Sequence, residues 1–413
     1  MNIFLLVWSY LKSKPLNTIL NIVLLALGIT VITVLLLFNK QLEEKISSNA
    51  KGIDLVVGAK GSPMQLILCN IFHIDFPTGN INLKEAEKIA KSRLIKKAIP
   101  LALGDSYQSY RIIGTNQEYV ELYKVELENG AWWNDEMEVV LGANVAETMK
   151  FSVGSKFEST HGLTEGGPGH EEQQFVVTGI LKRSGTILDN LILTSVESIW
   201  HVHEGHEGET EIKQDTSFIP SKLAASHPAG DSTKEITSLL VQYRSPMAAI
   251  QLPRMINGQT SMQAASPAFE TARLFTILGV GVDILMGFAY VLIFISALSI
   301  FIALYNSLKE RRYDLAIMRS MGASRGKLFI TVLAEGGILT LLGSLIGLVL
   351  AHGTIIVLTV VQDEARKAGI SGIVFYQEEW IILAGSLILG VLCALLPAIQ
   401  AYRTDISKVL AGN

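Results

Sequence analysis

Apolar and polar positions follow two regimes along this chain. Residues 16–38, 274–304, 328–361 and 380–402 are almost unbroken apolar runs, whereas residues 39–271 mix apolar and polar positions at short period. The first run carries no charge. At a helical rise of about 1.5 Å per residue it covers the ~30 Å bilayer core with some tilt. It is longer than the core of a signal peptide and runs into Asn39-Lys40-Gln41 rather than a small-residue cleavage site, so it reads as a retained span over residues 16–38. The second run contains a single charge, Asp283. As a helix it would extend about 46 Å, so residues 272–306 read as an outward stalk followed by a membrane helix. Residues 328–361 and 380–402 supply the third and fourth spans, the last interrupted late by Pro397. Ahead of the first span, Phe4, Leu5, Trp8 and Leu11 recur at helical spacing beside Lys12 and Lys14. Residues 1–15 therefore read either as an amphipathic helix on the cytoplasmic surface or as a plain extension of the span.

The region 39–271 carries both helix and strand periods. Residues 83–92 form a short amphipathic helix pattern and 247–262 read as a second helix; 106–114 and 137–141 alternate as strands do, and 238–244 reads as another strand. Residues 173–181 and 191–195 are two further strands, separated by 182–190 with Ser184-Gly185 as turn signal, and they read as the arms of one hairpin. The expected architecture is four transmembrane α-helices with an α+β extracytoplasmic domain inserted between helices 1 and 2.

Charge settles the orientation. The loop 307–327 holds Lys309, Arg311, Arg312, Arg319, Arg325 and Lys327 against Glu310 and Asp314. The N-terminus and the tail 403–413 are also basic-biased, while 362–379 is acidic on balance. By the positive-inside rule, 307–327 and both termini are cytoplasmic, and 39–271 and 362–379 face outward. Composition agrees: 49% of residues are hydrophobic, 17% charged, and the mean hydropathy is +0.38. A net charge of −4 argues against a nucleic-acid binder. Cys69 and Cys393 fall in different compartments, so neither a disulfide nor thiol chemistry is expected.

No GxxxxGK[ST] phosphate loop occurs, so an energised machine built on this chain needs a separate ATPase subunit. No nucleophile–base set stands out in 39–271, and the chain is not expected to be an enzyme. The loop 307–327 is the natural place for such an ATPase to dock. Leu315, Met318 and Met321 recur at steps of three as an apolar stripe for a partner's groove, and Arg312 and Arg319, seven apart, share a face. The competing reading is that these charges only anchor the loop at the lipid headgroups. Gly343 and Gly347 form a GSLIG pattern that permits close helix packing, with Gly336 and Gly337 beside it; Gly279, Gly281 and Gly287 are expected to do the same in the second span. Glu335 is an acid inside an apolar run, either a functional intramembrane carboxylate or a solvated one at interface depth.

These residues also carry a resemblance. Glu310-Arg311, Asp314-Leu315-Ala316, Arg319-Ser320-Met321-Gly322-Ala323-Ser324, Glu335, Gly343, Gly347 and the closing Pro397-Ala398, Ala401, Arg403 and Leu410 resemble the signature of MacB/FtsX-like ABC transporter permeases over residues 275–412. Gly130, Val139-Val140-Leu141-Gly142, Gly154 and residues 175–179 resemble the MacB-type extracytoplasmic core. The resemblance implies a bacterial inner-membrane, multi-pass permease with a large periplasmic domain. It also implies that 307–327 contains a coupling helix, with Glu310, Arg311, Arg312, Leu315, Met318, Arg319, Gly322 and Ala323 as ATPase-coupling positions. Its partners would be an ABC ATPase and a second permease, either a copy of itself or a relative. ATP-driven motion would pass through the long second span to the outer domain. Two other readings stand beside it: a non-transporting regulator of a periplasmic enzyme or binding protein, and a membrane-anchored metal receptor.

Histidines supply the last signal. His161, His170, His201, His203 and His206 are interleaved with glutamates and glycines. His201-x-His203-x-x-His206 is a ligand spacing suited to zinc, and also to copper or nickel. The expected 173–181/191–195 hairpin would bring the two histidine groups to one end, giving three or four ligands for a zinc-handling site. The competing reading is a pair of solvated surface loops.

Overall fold

The computed structural model describes residues 3–108, 110–160, 169–204, 234–362 and 369–403. It divides into two units, Met1–Glu43 with Ile277–Asn413, and Glu44–Thr276. In chain order the first elements are α1 (Ile3–Ser13), α2 (Pro15–Asn49), β1 (Leu55–Ala59), α3 (Pro63–Asn70), β2 (Ile81–Asn82), α4 (Leu83–Ala90), β3 (Ile95–Tyr107) and β4 (Tyr110–Gly114). Then come α5 (Gln117–Tyr123), β5 (Leu127–Gly130), β6 (Glu138–Leu141), α6 (Ala143–Met149), β7 (Lys156–Thr160), β8 (Gly169–Leu181), β9 (Leu191–Thr194) and α7 (Val196–Glu204). The last are β10 (Glu235–Ile236), β11 (Ser238–Tyr243), α8 (Ala248–Gln259), β12 (Met262–Ala265), α9 (Pro267–Glu310), α10 (Arg312–Ser320), α11 (Arg325–Val361) and α12 (Gln377–Arg403).

In the membrane unit, α2, α9, α11 and α12 are the helices long and apolar enough to cross a bilayer among the described residues. Their shared core is Leu25, Ile29, Ile300, Leu304, Leu339 and Ala394. Outward faces stay apolar, as at Phe288, Val291, Phe294 and Leu298, where lipid replaces water as solvent. The packing of α2 on α11 depends on two glycines. A Cβ on Gly343 would come 2.9 Å from Leu25 Cδ2, and one on Gly347 would come 2.8 Å from both the Ala26 carbonyl and Ile29 Cβ. Thr30 Oγ1 then reaches the Gly347 carbonyl at 3.1 Å. Gly279, Gly281 and Gly287 differ from expectation: nothing lies within 4 Å of a Cβ built on any of them. α1 also differs. Val7 and Leu11, one helical turn apart, are buried in the helix cluster, while Trp8 is exposed. So of the stripe read in the sequence Leu11 packs on the bundle and Trp8 does not, while the side chains of Phe4 and Leu5 lie outside the description.

In the outer unit the described strands form a mixed sheet of order β12-β1-β11-β3-β4-β9-β6-β8-β5, with β7 paired to β3 and β8 and a small β10–β2 ladder. Its core comprises Leu55, Val57, Ile99, Ile112, Val139, Leu141, Phe175, Ile192, Val241, Leu252 and Ile256, all buried. Two strand readings are corrected. Residues 106–114 are not one strand: β3 turns at Gln108, where φ is +44°, and Tyr107 pairs with Tyr110 across the turn. Second, β8 and β9 are not the arms of a hairpin. β6 lies between them, parallel to β8 (Val139↔Val177) and antiparallel to β9 (Val140↔Leu193). Val139, Val140 and Leu141 are all fully buried, and a strand buried on both faces takes a central place.

β1 follows α2 and β12 precedes α9 in the chain, and these two strands pair directly, Val56↔Ala265 and Val57↔Ala264. The end of α2 is fastened as well. Asn49 accepts Tyr123 O–H on its carbonyl at 2.8 Å and Ile187 N–H on its side chain at 3.0 Å, while Lys45 donates to the Gly185 carbonyl at 2.6 Å. The loop that receives it is shaped by the buried Asp189, whose carboxylate accepts the Ser184 N–H, the Ser184 hydroxyl and the Gly185 N–H at 2.9, 2.9 and 2.7 Å.

Candidate functional site

Local chemistry sets the segment between α9 and α11. α9 ends at Glu310, Arg311 leaves helical geometry at φ −95°, ψ 12°, and α10 begins at Arg312. α10 stops at a glycine. Gly322 has φ +97°, its N–H bonds the Arg319 carbonyl, and the Ala323 N–H bonds the Met318 carbonyl, both at 3.0 Å. This paired closure of a helix C-terminus requires a left-handed residue, which glycine adopts without a Cβ penalty. Ser324 then caps α11, its hydroxyl accepting the Lys327 N–H at 3.3 Å. So Met321-Gly322-Ala323-Ser324 is a helix stop followed by a helix start.

α10 has two unlike faces. Leu315 and Ala316 are buried, and Leu315, with Met318 against it, joins Leu308, Leu328, Val332, Ala398 and Ala401. The expected partner-facing stripe of Leu315, Met318 and Met321 is therefore corrected: the first two face the bundle. Steps of three residues drift by about 60° each on a helix, so Met321 lies on a different face from Leu315. The outward apolar stripe runs at steps of four, Tyr313, Ile317 and Met321, exposed by 59%, 37% and 82%. Arg312 is exposed beside it, and Arg319 is half-buried.

Arg311 is the hub of this region. Its guanidinium carbon lies 3.9 Å from the centre of the Tyr10 ring. Its Nη2 donates to the Tyr10 carbonyl at 3.3 Å and to the Ser13 hydroxyl at 3.2 Å. Its Nη1 lies 3.6 Å from Glu335 Oε1, and both side chains are largely buried. Next to it, Glu310 pairs with Lys14. Glu335 is thus a paired carboxylate rather than a solvated one. One guanidinium joins α1, the α9–α10 bend and α11; the sequence reading missed this because its members lie at positions 10, 311 and 335.

Of the five histidines, His201 alone has a described side chain. His161 and His206 lie outside the described residues. His170 falls on β8 and His203 on α7, with side chains outside the description. His201 is exposed on α7, its Nδ1 3.4 Å from Glu136 Oε2. Among the described residues no group of three or more histidine, cysteine or acidic side chains could hold a metal. The hairpin that was to converge them does not exist. Cysteine chemistry is equally remote: burial pushes the Cys69 thiol up to about 12, and the neighbouring Arg111 only partly opposes it.

A polytopic membrane protein with one large extracytoplasmic α/β unit after its first span, and a basic two-faced helix between its second and third, is the class these features define. Residues 18–251 match the MacB-like periplasmic core domain and residues 286–406 the FtsX-like permease C-terminal domain; the chain belongs to this family of ABC transporter permeases. An uncharacterized ABC transporter permease of Methanocaldococcus jannaschii is 24% identical over 71% of this chain and 68% of its own length. The uncharacterized permease YknZ of Bacillus subtilis is 27% identical over 34% of this chain and 32% of its own. Among solved structures, the periplasmic region of MacB from Actinobacillus actinomycetemcomitans aligns with 56% of this chain and 97% of its own, at 12% identity and a TM-score of 0.33. The extracellular domain of YknZ from Gram-positive bacteria aligns with 52% and 99%, at 13% identity and a TM-score of 0.30.

Proposed function

We propose that this permease converts the motion of a separate ABC ATPase, docked on α10, into movement of its outer unit. The observation that carries this reading is the division of α10 into two faces. One is embedded in the bundle through Leu315 and Met318; the other offers Tyr313, Ile317 and Met321 beside Arg312 on a cytoplasmic surface. An aromatic–aliphatic stripe at steps of four is the form in which a helix fills a partner's groove. The Arg311 hub supports it from the inside, since a push on α10 acts through a buried charged group bound to α1 and α11. The outer unit supports it too. The strands adjoining α2 and α9 pair with each other, and Asn49 is held on both its carbonyl and its side chain, so displacement of either helix strains the sheet rather than a slack linker.

The test is the double substitution Ile317→Asp, Met321→Asp in the complex with its ATPase. Both positions are exposed, where substitutions usually change stability by no more than ~0.5 kcal/mol. Expected are unchanged amounts of permease, loss of ATPase co-purification by roughly tenfold or more, and loss of function. A well-expressed double variant that retains its ATPase and full function would overturn the docking role.

A further inference from the structure

His352 on α11 and Glu379 at the start of α12 form a polar pair that the docking reading does not use. Both are buried, exposed by only 8% and 4%. His352 Nε2 lies 2.9 Å from Glu379 Oε2, and His352 Nδ1 lies 2.7 Å from the Gly372 carbonyl oxygen. The other carboxylate oxygen, Oε1, accepts the Tyr376 N–H at 2.9 Å and so caps the N-terminus of α12.

Donors and acceptors can be counted here. A carbonyl only accepts, so Nδ1 carries a proton. The Nε2–Oε2 contact then needs one further proton, held either as imidazolium facing carboxylate or as neutral imidazole facing carboxylic acid. Both forms have the same total charge. With a second proton, the buried imidazolium loses its carboxylate counter-charge, and the new O–H either faces the Nε2–H or sits on Oε1, against the Tyr376 N–H. With none, a nitrogen lone pair faces a carboxylate. Only the one-proton state leaves neither an unpaired buried charge nor two like groups facing each other.

The pair lies where several elements meet. Gln41 of α2 donates its Nε2–H to the Ser371 carbonyl at 2.9 Å and accepts the Ser371 N–H at 2.7 Å. Lys40 pairs with Glu378 at 2.8 Å. The Phe375 ring lies 4.2 Å from the imidazole, centre to centre. Gly372 comes so close to α11 that a Cβ there would sit 2.7 Å from the His352 carbonyl oxygen. Counting from Lys327 at the cytoplasmic end of α11, His352 is roughly 37 Å along the helix, and it lies level with the polar pairs Lys40–Glu378 and Gln41–Ser371 at the outer ends of α2 and α12. That level is the outer membrane–water interface, where protons from outside arrive.

We propose that His352 and Glu379 form a proton-binding latch that fastens the extracytoplasmic loop 369–376 to α2, α11 and α12. Addition of a second proton opens it. The other charged groups at this end of the elements packed around it are Lys40, Glu43, Glu44 and Lys45 on α2 and Glu378 on α12; Lys40 and Glu378 neutralise each other, Lys45 donates to the Gly185 carbonyl, and Glu43 and Glu44 are exposed. Asp363, Glu364, Arg366 and Lys367 of the same loop lie outside the described residues.

The test uses the full chain in lipid nanodiscs with a nitroxide on Ile373→Cys, an exposed position in the loop. The spectrum of the same chain without that cysteine is subtracted. Spectra are taken at about pH 7.5 and about pH 3.5, above the ordinary histidine range and below the ordinary glutamate range. The expected result is a restricted nitroxide at the higher pH and a mobile, reversible state at the lower. A wild-type spectrum that does not change overturns the latch without recourse to any further variant. The double variant His352→Gln, Glu379→Gln should abolish the difference between the two pH values, because neither amide takes up a proton. Lys40→Gln, and Asp363→Asn with Glu364→Gln, should each preserve it. If the response persists in the His352/Glu379 double variant, or disappears in Lys40→Gln or in the Asp363/Glu364 variant, another group owns it and the proposal fails.

Discussion

His73 shows how far burial alone can set the chemistry of a residue in this protein. It is fully enclosed in the outer unit, its Nε2 3.0 Å from the Tyr119 hydroxyl, and it holds the left-handed φ of +54°. Burial first, and the Arg111 charge second, push its pKa down to about 3. An unfolded histidine titrates near ~6.5. Between those values the unfolded chain binds a proton that the folded one refuses. The stability is therefore present in full above ~6.5 and is lost as pH falls toward ~3, at about 1.4 kcal/mol per unit. From pH ~6.5 to ~5 the loss is about 2 kcal/mol. His73→Asn, whose side chain tolerates the left-handed backbone, should flatten this slope. Thermal unfolding of the full-length protein at several pH values checks it; an unaltered slope in the variant would assign the acid sensitivity elsewhere.

At the scale of elements, the membrane helices divide into a face that must approach and a face that need not. Gly343 and Gly347 let α2 reach the backbone of α11, whereas Gly279 and Gly287 look into open space. Gly347→Val should cost about 1–3 kcal/mol through overpacking against Ala26 and Ile29. Gly279→Val and Gly287→Val should fall within ~0.5 kcal/mol of wild type. Unfolding in one detergent decides it, and equal effects at Gly347 and Gly287 would mean that α2–α11 packing does not depend on the missing Cβ. The same contrast organises α10, where a shift of two positions separates the buried Leu315 from the exposed Tyr313 and Ile317.

For the whole molecule the governing quantity is orientation in the bilayer. Lys309, Arg311, Arg312, Arg319, Arg325 and Lys327 keep the α9–α11 connection in the cytoplasm, which puts the unit after α2 outside. Ile74→Cys should react with a membrane-impermeant maleimide in intact cells, and Met321→Cys only after permeabilisation. Both sites are exposed, by 71% and 82%. The native background is low because Cys69 is fully buried with its thiol held at about 12, and Cys393 lies within a membrane helix. Labelling of Met321→Cys from outside would reverse the topology.

What the sequence determined by itself is what local chemistry and the bilayer impose. Long uncharged runs must be helices because lipid offers no partner for a free N–H or C=O. The basic bias of 307–327 sets their direction. The Ser184-Gly185 turn was legible too, although not as the seat that receives Asn49. The tertiary structure decided everything that depends on which distant element becomes a neighbour. Alternation identified β8 and β9 as strands, but a period of two says nothing about what pairs at the edge, and β6, far earlier in the chain, took the place between them. In the same way Arg311 met Tyr10 and Glu335, and His352 met Gly372 and Glu379. A buried charge or imidazole takes its partner from whatever the packing brings within hydrogen-bond reach, and that choice leaves no periodic trace in the residues on either side.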